Sequence, residues 1–280
     1  MHDNTLNETS TTEIDRSALY LRGVRKSFRQ TDALRDFTLD FLRNQWYFII
    51  GGNGSGKSTL LKVISGEIKP EKGDVNYYDL KAYQSENINK LSQYQRSRFM
   101  YYVDQNSADN LVGSMTIYEN MALLNNNKFL PGLGPYKTRE MTDRVKEVLW
   151  PFGLGLELRL NEQVRHLSGG ERQCIVAAKV MLSNPEILLM DEFTSSLDHK
   201  ISPLVMNALK DFTIKNEITV IVVTHDFSSI EKYCDKLILL ESGRIAGFYD
   251  SKKNSLSEEF VKKEFTHVVI DKKRSSYRFF

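Results

Sequence analysis

Gly51-Gly52-Asn53-Gly54-Ser55-Gly56-Lys57-Ser58-Thr59 is the stretch whose reading decides the fold. It follows the apolar run Trp46-Tyr47-Phe48-Ile49-Ile50 and leads into Leu60-Leu61-Lys62-Val63-Ile64, closed by Gly66. That order predicts a buried strand, a glycine-rich loop and a helix with a glycine C-cap. The spacing G-x-x-x-x-G-K-S is that of a phosphate-binding P-loop. Its glycines let several backbone N–H groups turn inward, and the helix N-terminus adds partial positive charge. In such a loop Lys57 reaches the β- and γ-phosphates, and the Ser58 hydroxyl is a ligand for Mg²⁺. The stretch implies a nucleoside triphosphate ligand.

Working outward, two more apolar runs end in polar residues. Ile187-Leu188-Leu189-Met190 reads as a buried strand that stops at Asp191-Glu192, and Thr219–Val223 as another that stops at Thr224-His225. Ligands of open α/β sheets bind at the carboxyl ends of strands. Asp191 can hold Mg²⁺ through water there, and Glu192 can orient an attacking water. Taken alone His225 suits a structural role as well as a catalytic one. Three polar strand ends suited to one phosphate site favour catalysis. Leu167-Ser168-Gly169-Gly170-Glu171-Arg172-Gln173, ahead of a helix-like 174–182, makes a second potential anion site at a helix N-terminus.

The remaining segments give weaker signals. A strand over 99–103 ends at Asp104-Gln105, and Ser195-Ser196-Leu197-Asp198 reads as a turn. Phe28, some two dozen residues before the P-loop, serves equally as an adenine-stacking ring or a core residue by spacing alone. Residues 19–21 and 37–41 read as strands, with Arg35-Asp36 as turn material between them. The polar stretch 79–95 is expected to be partly helical. From 107 to 165 apolar residues recur at spacings of three and four, predicting helices near 116–124 and 137–152 around a loop at 125–136. Residues 237–248 read as a closing hairpin.

With 280 residues the chain has room for an ample core. Apolar residues make up 41% and charged residues 26%, ordinary values for a globular protein. The net charge of +2 gives no argument for nucleic acid as a partner. Two cysteines, Cys174 and Cys234, without metal-ligand spacing fit buried thiols in a reducing compartment. No apolar run reaches the length needed to span a bilayer, and 1–17 has no signal-peptide core. The expectation is a disordered N-terminal tail over 1–17, a nucleotide-binding domain over 18–250 with a helical subdomain at about 106–165, and a C-terminal extension over 251–280.

Together these residues resemble the ATP-binding cassette (ABC) ATPases, over about 19–250. The pieces are the P-loop, Gln105 as a Q-loop glutamine, the signature Leu167-Ser168-Gly169-Gly170-Glu171, the Walker B strand ending in Asp191-Glu192, a D-loop ending at Asp198, and His225 as switch histidine. The resemblance implies an α/β P-loop NTPase: a RecA-like core with a mainly parallel sheet, an inserted helical subdomain and an antiparallel β region. It implies ATP and Mg²⁺ as cofactors. Phe28 takes the place of the aromatic that stacks on adenine. Gln105 reaches Mg²⁺ and the attacking water, Glu192 polarises that water, and His225 contacts the γ-phosphate. Ser168, Gly169 and Gly170 bind the γ-phosphate of ATP held by a second subunit. Phe193 replaces a common proline without chemical consequence, and Asn44-Gln45-Trp46 lacks the glycine usual at the turn before the P-loop strand.

Within that family the stretch between Lys57 and Ser168 carries no long heptad run, which excludes the DNA-repair relatives. A single cassette also sets the chain apart from the two-cassette translation factors. The resemblance therefore implies a transporter ATPase: a homodimer on the cytoplasmic face of a membrane, docked on a transmembrane permease. Residues 114–123 and 152–160 are similar to ATPases of bacterial tryptophan/tyrosine-type importers with separate secreted binding proteins. An exporter, or a lipid- or lipoprotein-extracting system, is the alternative.

Overall fold

The computed structural model describes residues 17–106, 108, 111–123, 138–193 and 200–276. Residues 1–16 of the expected N-terminal tail, the loop at 125–136 and Asp198 lie outside the described residues, whereas Ser17, expected in that tail, is buried at the start of a strand. The chain forms two compact units: Met1–Tyr102, Glu186–Glu192 and Glu217–Phe280 make one, and Val103–Pro185 with Phe193–Asn216 the other.

In the first unit, strands β1 (Ser17–Phe28) and β2 (Thr31–Leu42) pair antiparallel around a turn at Arg29-Gln30. This corrects the placement of a turn at Arg35-Asp36, which lies inside β2. The register slips by one residue between Val24 and Lys26, and Asp36 takes a left-handed φ of 54°. A bulge uses the same polar, αL-tolerant residues as a turn, and Arg25 holds Asp36 in an ion pair across it. β4 (Lys72–Asp79) and β5 (Gln84–Asn87) complete a four-stranded sheet in the order β2-β1-β4-β5.

The second sheet runs β10-β9-β3-β8-β7-β6. Its strands are β3 (Trp46–Ile50), β6 (Met100–Val103), β7 (Ile187–Asp191), β8 (Thr219–Val223), β9 (Lys236–Glu241) and β10 (Arg244–Asp250). β3 pairs parallel with β8 and β9, and β7 with β8, whereas β9 and β10 form an antiparallel hairpin. Every residue of β3, β7 and β8 is buried, as central parallel strands require. The missing glycine before β3 is replaced by Asn44, whose φ of 58° suits an asparagine.

Helix α1 (Lys57–Ser65) follows the P-loop, and one core unites it with both sheets through Leu60, Leu61, Val63, Ile64, Leu21, Phe37, Ile49, Leu189 and Ile221. Gly66 caps α1 in the left-handed conformation. Buried Arg96 donates from Nη1 to the carbonyls of Val63 (2.9 Å) and Ile64 (2.5 Å), a cation at the negative end of the helix. Arg96 ends the short helix α2 (Gln93–Arg96), started by a Ser92–Gln95 capping box. Only part of 79–95 is therefore helical.

The second unit contains α3 (Ile117–Ala122), α4 (Arg139–Leu149), α5 (Gly169–Ser183) and α6 (Ile201–Lys215). Thr116 with Glu119 and Ser168 with Glu171 form capping boxes, and Thr138 caps α4. α4 turns Met141, Val145 and Leu149 inward, and α3, α4 and α6 all pack on α5. In the first unit α7 (Phe227–Tyr233) follows β8, and α8 (Glu258–Ser276) closes the described chain.

Candidate nucleotide site

The P-loop is shaped by close backbone approaches. A Cβ on Gly51 would come 2.2 Å from the Leu240 carbonyl oxygen, and one on Gly56, at φ 105°, 2.2 Å from that of Ala33. Gly243, in the β9–β10 turn, donates its N–H to the Ser55 carbonyl (2.9 Å) and accepts from the Arg35 N–H (2.9 Å). The loop is thus clamped between β2 and that turn. Lys57 is buried, and its Nζ donates to the carbonyls of Gly51 (2.8 Å) and Gly52 (3.1 Å), which aims the ammonium along the loop. Burial pulls the Lys57 pKa below its usual value, and the charges of Glu192 and Asp191 pull it back.

Asp191 and Glu192 stand where β7 ends. Burial raises the Asp191 carboxyl above the usual carboxylate range, while a hydrogen bond from the Ser58 hydroxyl draws it down. Its Oδ2 lies 3.5 Å from the Tyr102 hydroxyl, and its buried Oδ1 has no protein partner. An orphaned carboxylate oxygen beside a Ser hydroxyl is a good fit for a hard cation such as Mg²⁺. Among the described residues no three His, Cys, Asp or Glu side chains cluster as a metal cage. The remaining ligands for such a cation would have to come from phosphates and water, as Mg²⁺ prefers.

Glu192 adopts φ 49°, an uncommon left-handed conformation for a non-glycine residue, and its N–H donates to the Val223 carbonyl (2.9 Å). That turn directs its carboxylate toward His225, whose Nε2 is 3.2 Å from Glu192 Oε1. Asp226 caps α7 directly after His225 by accepting from the Ser228 and Ser229 N–H groups. The unit thus brings together Lys57, Ser58, Asp191, Glu192 and His225. Phe28 ends β1 as a residue 46% exposed, with the Lys26 ammonium 5.4 Å from the ring centre, so it is a surface residue and not a core one.

Gln105 and the signature belong to the other unit. Gln105 is exposed in the turn after β6. Ser168 is the N-cap of α5, with Gly169 and Gly170 as its first two helical residues. Ser168 and Gly169 are exposed, so the helix N-terminus is open to an anion. Sequence reasoning missed Tyr102, Gly243 and Asp226. The first two reach the site through sheet pairing and carry no local signal, whereas Asp226 could have been found as an N-cap between a strand and a helix.

This fold and this set of strand ends define a P-loop nucleoside triphosphatase. The family model "ABC transporter" matches residues 34–195, and the chain belongs to that family of ATP-binding ATPases. A tyrosine transport ATP-binding protein of Clostridioides difficile is 31% identical over 257 residues, covering 90% of this chain and all of that one. A phosphonates import ATP-binding protein of Treponema denticola is 30% identical, covering 90% and 97% of the two chains. Among solved structures, a bacterial ABC transporter cassette determined as a dimer superposes with a TM-score of 0.70 at 28% identity, over 83% of this chain and 98% of that one. No helix among the described residues is long and apolar enough to cross a membrane.

Proposed function

We propose that the chain is the ATP-hydrolysing subunit of a membrane importer whose cargo is a small solute of the amino-acid class. The carrying observation is the meeting of Lys57, Ser58, Asp191, Glu192 and His225 at the carboxyl ends of β3, β7 and β8. Phosphoryl transfer to water needs positioning and charge stabilisation more than covalent help. Lys57 offsets the β- and γ-phosphate charge, and the P-loop N–H groups from Gly52 to Thr59 cradle the phosphates. Mg²⁺, held by Ser58 and by Asp191 through water, would neutralise charge on the transferred group. Glu192 accepts the proton of the attacking water, and His225 steadies Glu192 and the γ-phosphate. Phe28 stacks on the adenine.

A second copy of the chain supplies Ser168, Gly169 and Gly170 to the γ-phosphate, so ATP joins two subunits and hydrolysis releases them. The other partners are a transmembrane permease and a secreted substrate-binding protein. Support for import comes from relatives described as tyrosine transport, methionine import and phosphonates import ATP-binding proteins. The test is reconstitution with the permease in vesicles, following labelled tyrosine. ATP-driven accumulation that needs the binding protein is expected. ATP-driven efflux from preloaded vesicles would overturn the importer reading.

A further inference from the structure

Arg159 follows the 3-10 turn Leu156–Leu158 and joins two carboxylates at once. Its Nε and Nη2 donate to the two oxygens of Glu162 at 2.7 and 3.0 Å, and Nη1 donates to Oε1 of Glu171 at 2.5 Å. The other Glu171 oxygen accepts from the Ser168 N–H (2.8 Å), while the Glu171 N–H donates to Ser168 Oγ (3.2 Å). The signature's capping box is therefore held from behind by a guanidinium fork, the geometry in which arginine outperforms lysine.

Two consequences follow. Geometrically, the Ser168 hydroxyl and the first N–H groups of α5 are fixed through Glu171 to Arg159. Electrostatically, Glu171 places a negative charge in the first turn of a helix whose open end would face a triphosphate. Uncompensated, that carboxylate repels the anion; paired with Arg159 it caps the helix at little electrostatic cost. The same segment also closes the start of α3: the Glu162 carbonyl accepts from the Ile117 N–H (2.9 Å) and the Leu160 carbonyl from the Tyr118 N–H (2.9 Å). The Val164 and Arg165 N–H groups donate to the carbonyls of Met115 and Gly113, both at 3.0 Å. The start of α3 and the start of α5 are thereby one hydrogen-bonded block.

We infer that Arg159 is the positioning residue for nucleotide held in trans: it neutralises Glu171 and fixes the Ser168 cap, so that the signature can receive the partner subunit's γ-phosphate. This rests on the two-subunit reading above. The test uses the full-length chain with Mg-ATP, carrying Glu192→Gln to slow turnover, and reads dimer formation by size-exclusion chromatography against ATP concentration. Arg159→Leu should bind a fluorescent ATP analogue as a monomer with the parent affinity, yet need about tenfold more ATP or greater to dimerise. Arg159→Lys, which keeps charge but loses the fork, should fall between the two. Adding Glu171→Gln to Arg159→Leu should restore much of the loss, because the uncompensated charge is gone. A purely structural arginine would not give that rescue.

Mixed dimers extend the test. One chain carrying Lys57→Ala and another carrying Arg159→Leu should form one intact composite site. Both changes in one chain, paired with a parent chain, should leave none. Dimerisation of Arg159→Leu at the parent ATP concentration, or a double variant no better than the single, would overturn the inference. If the parent itself never dimerises with ATP, the two-subunit reading fails instead.

Discussion

Two glycine-bearing helix starts, those of α1 and α5, face anions in the proposed mechanism, yet they need glycine for different reasons. In the P-loop the demand is internal: Gly51 and Gly56 leave no room for a Cβ, because backbone oxygens of Leu240 and Ala33 would stand 2.2 Å from it. At the start of α5 the demand is not internal. A Cβ on Gly169 would meet nothing within 4 Å, and its φ is not left-handed, while one on Gly170 would press on the Ile201 side chain at 3.0 Å. A helical glycine costs up to about 1 kcal/mol against alanine. The unit gains no packing for that cost at Gly169, so its use lies in what approaches from outside. In the proposed mechanism the first loop holds its own ligand and the second is approached by the partner's.

The largest expected effect separates binding from chemistry in the first loop's site. Glu192→Gln keeps shape and hydrogen bonding beside His225 but removes the proton acceptor. Turnover should fall by about 10² to 10⁴ while ATP binding stays near normal and the ATP-bound dimer persists. Phosphate release alongside size-exclusion chromatography measures both, and hydrolysis at the parent rate would remove Glu192 from its role. Next in size is Lys57→Ala. Losing a charged donor to phosphate should weaken ATP binding by roughly 10- to 100-fold. Equilibrium titration with a fluorescent analogue reads it, and unchanged affinity would mean the loop is not the site.

Most of this comparison was open to a reading of residues alone, and the exceptions share a cause. β3, β7 and β8 lie where their apolar runs place them, because central parallel strands are buried on both faces and read as unbroken hydrophobic stretches. Their polar ends, Asp191-Glu192 and Thr224-His225, contain the residues that the structure brings near Lys57 and Ser58. The bulge at Asp36 was taken for a turn because both use αL-tolerant polar residues. β5 escaped notice because all four of its residues, Gln84 to Asn87, are exposed and polar. Tyr102 and Gly243 act through partners distant in sequence, and no local pattern marks such pairings. Arg159 acts through Glu162 and Glu171, close in sequence, but nothing in the residue pattern says which carboxylates a turn will bring to it.

Two alanine substitutions sharpen the contrast, and the second is the smaller. Gly56→Ala must place a Cβ against the Ala33 carbonyl at a φ of 105°. A loss of about 2 kcal/mol or more in folding stability is expected, visible as a lowered urea midpoint even without nucleotide. Gly169→Ala should do the opposite to stability. At a helical position with open space around it, alanine removes conformational freedom from the unfolded chain and should add up to about 1 kcal/mol. Its harm should appear only with ATP: the added methyl stands on the exposed face of α5, where the partner's γ-phosphate must come within hydrogen-bonding distance of the N–H groups. The dimer formed in Mg-ATP by the Glu192→Gln background should then be weakened or lost, with monomer affinity for ATP unchanged. Urea melts and size-exclusion chromatography on the same preparation measure the two sides. A destabilised Gly169→Ala chain would show that the fold itself uses this glycine. A stable chain that dimerises as before would show that nothing approaches it.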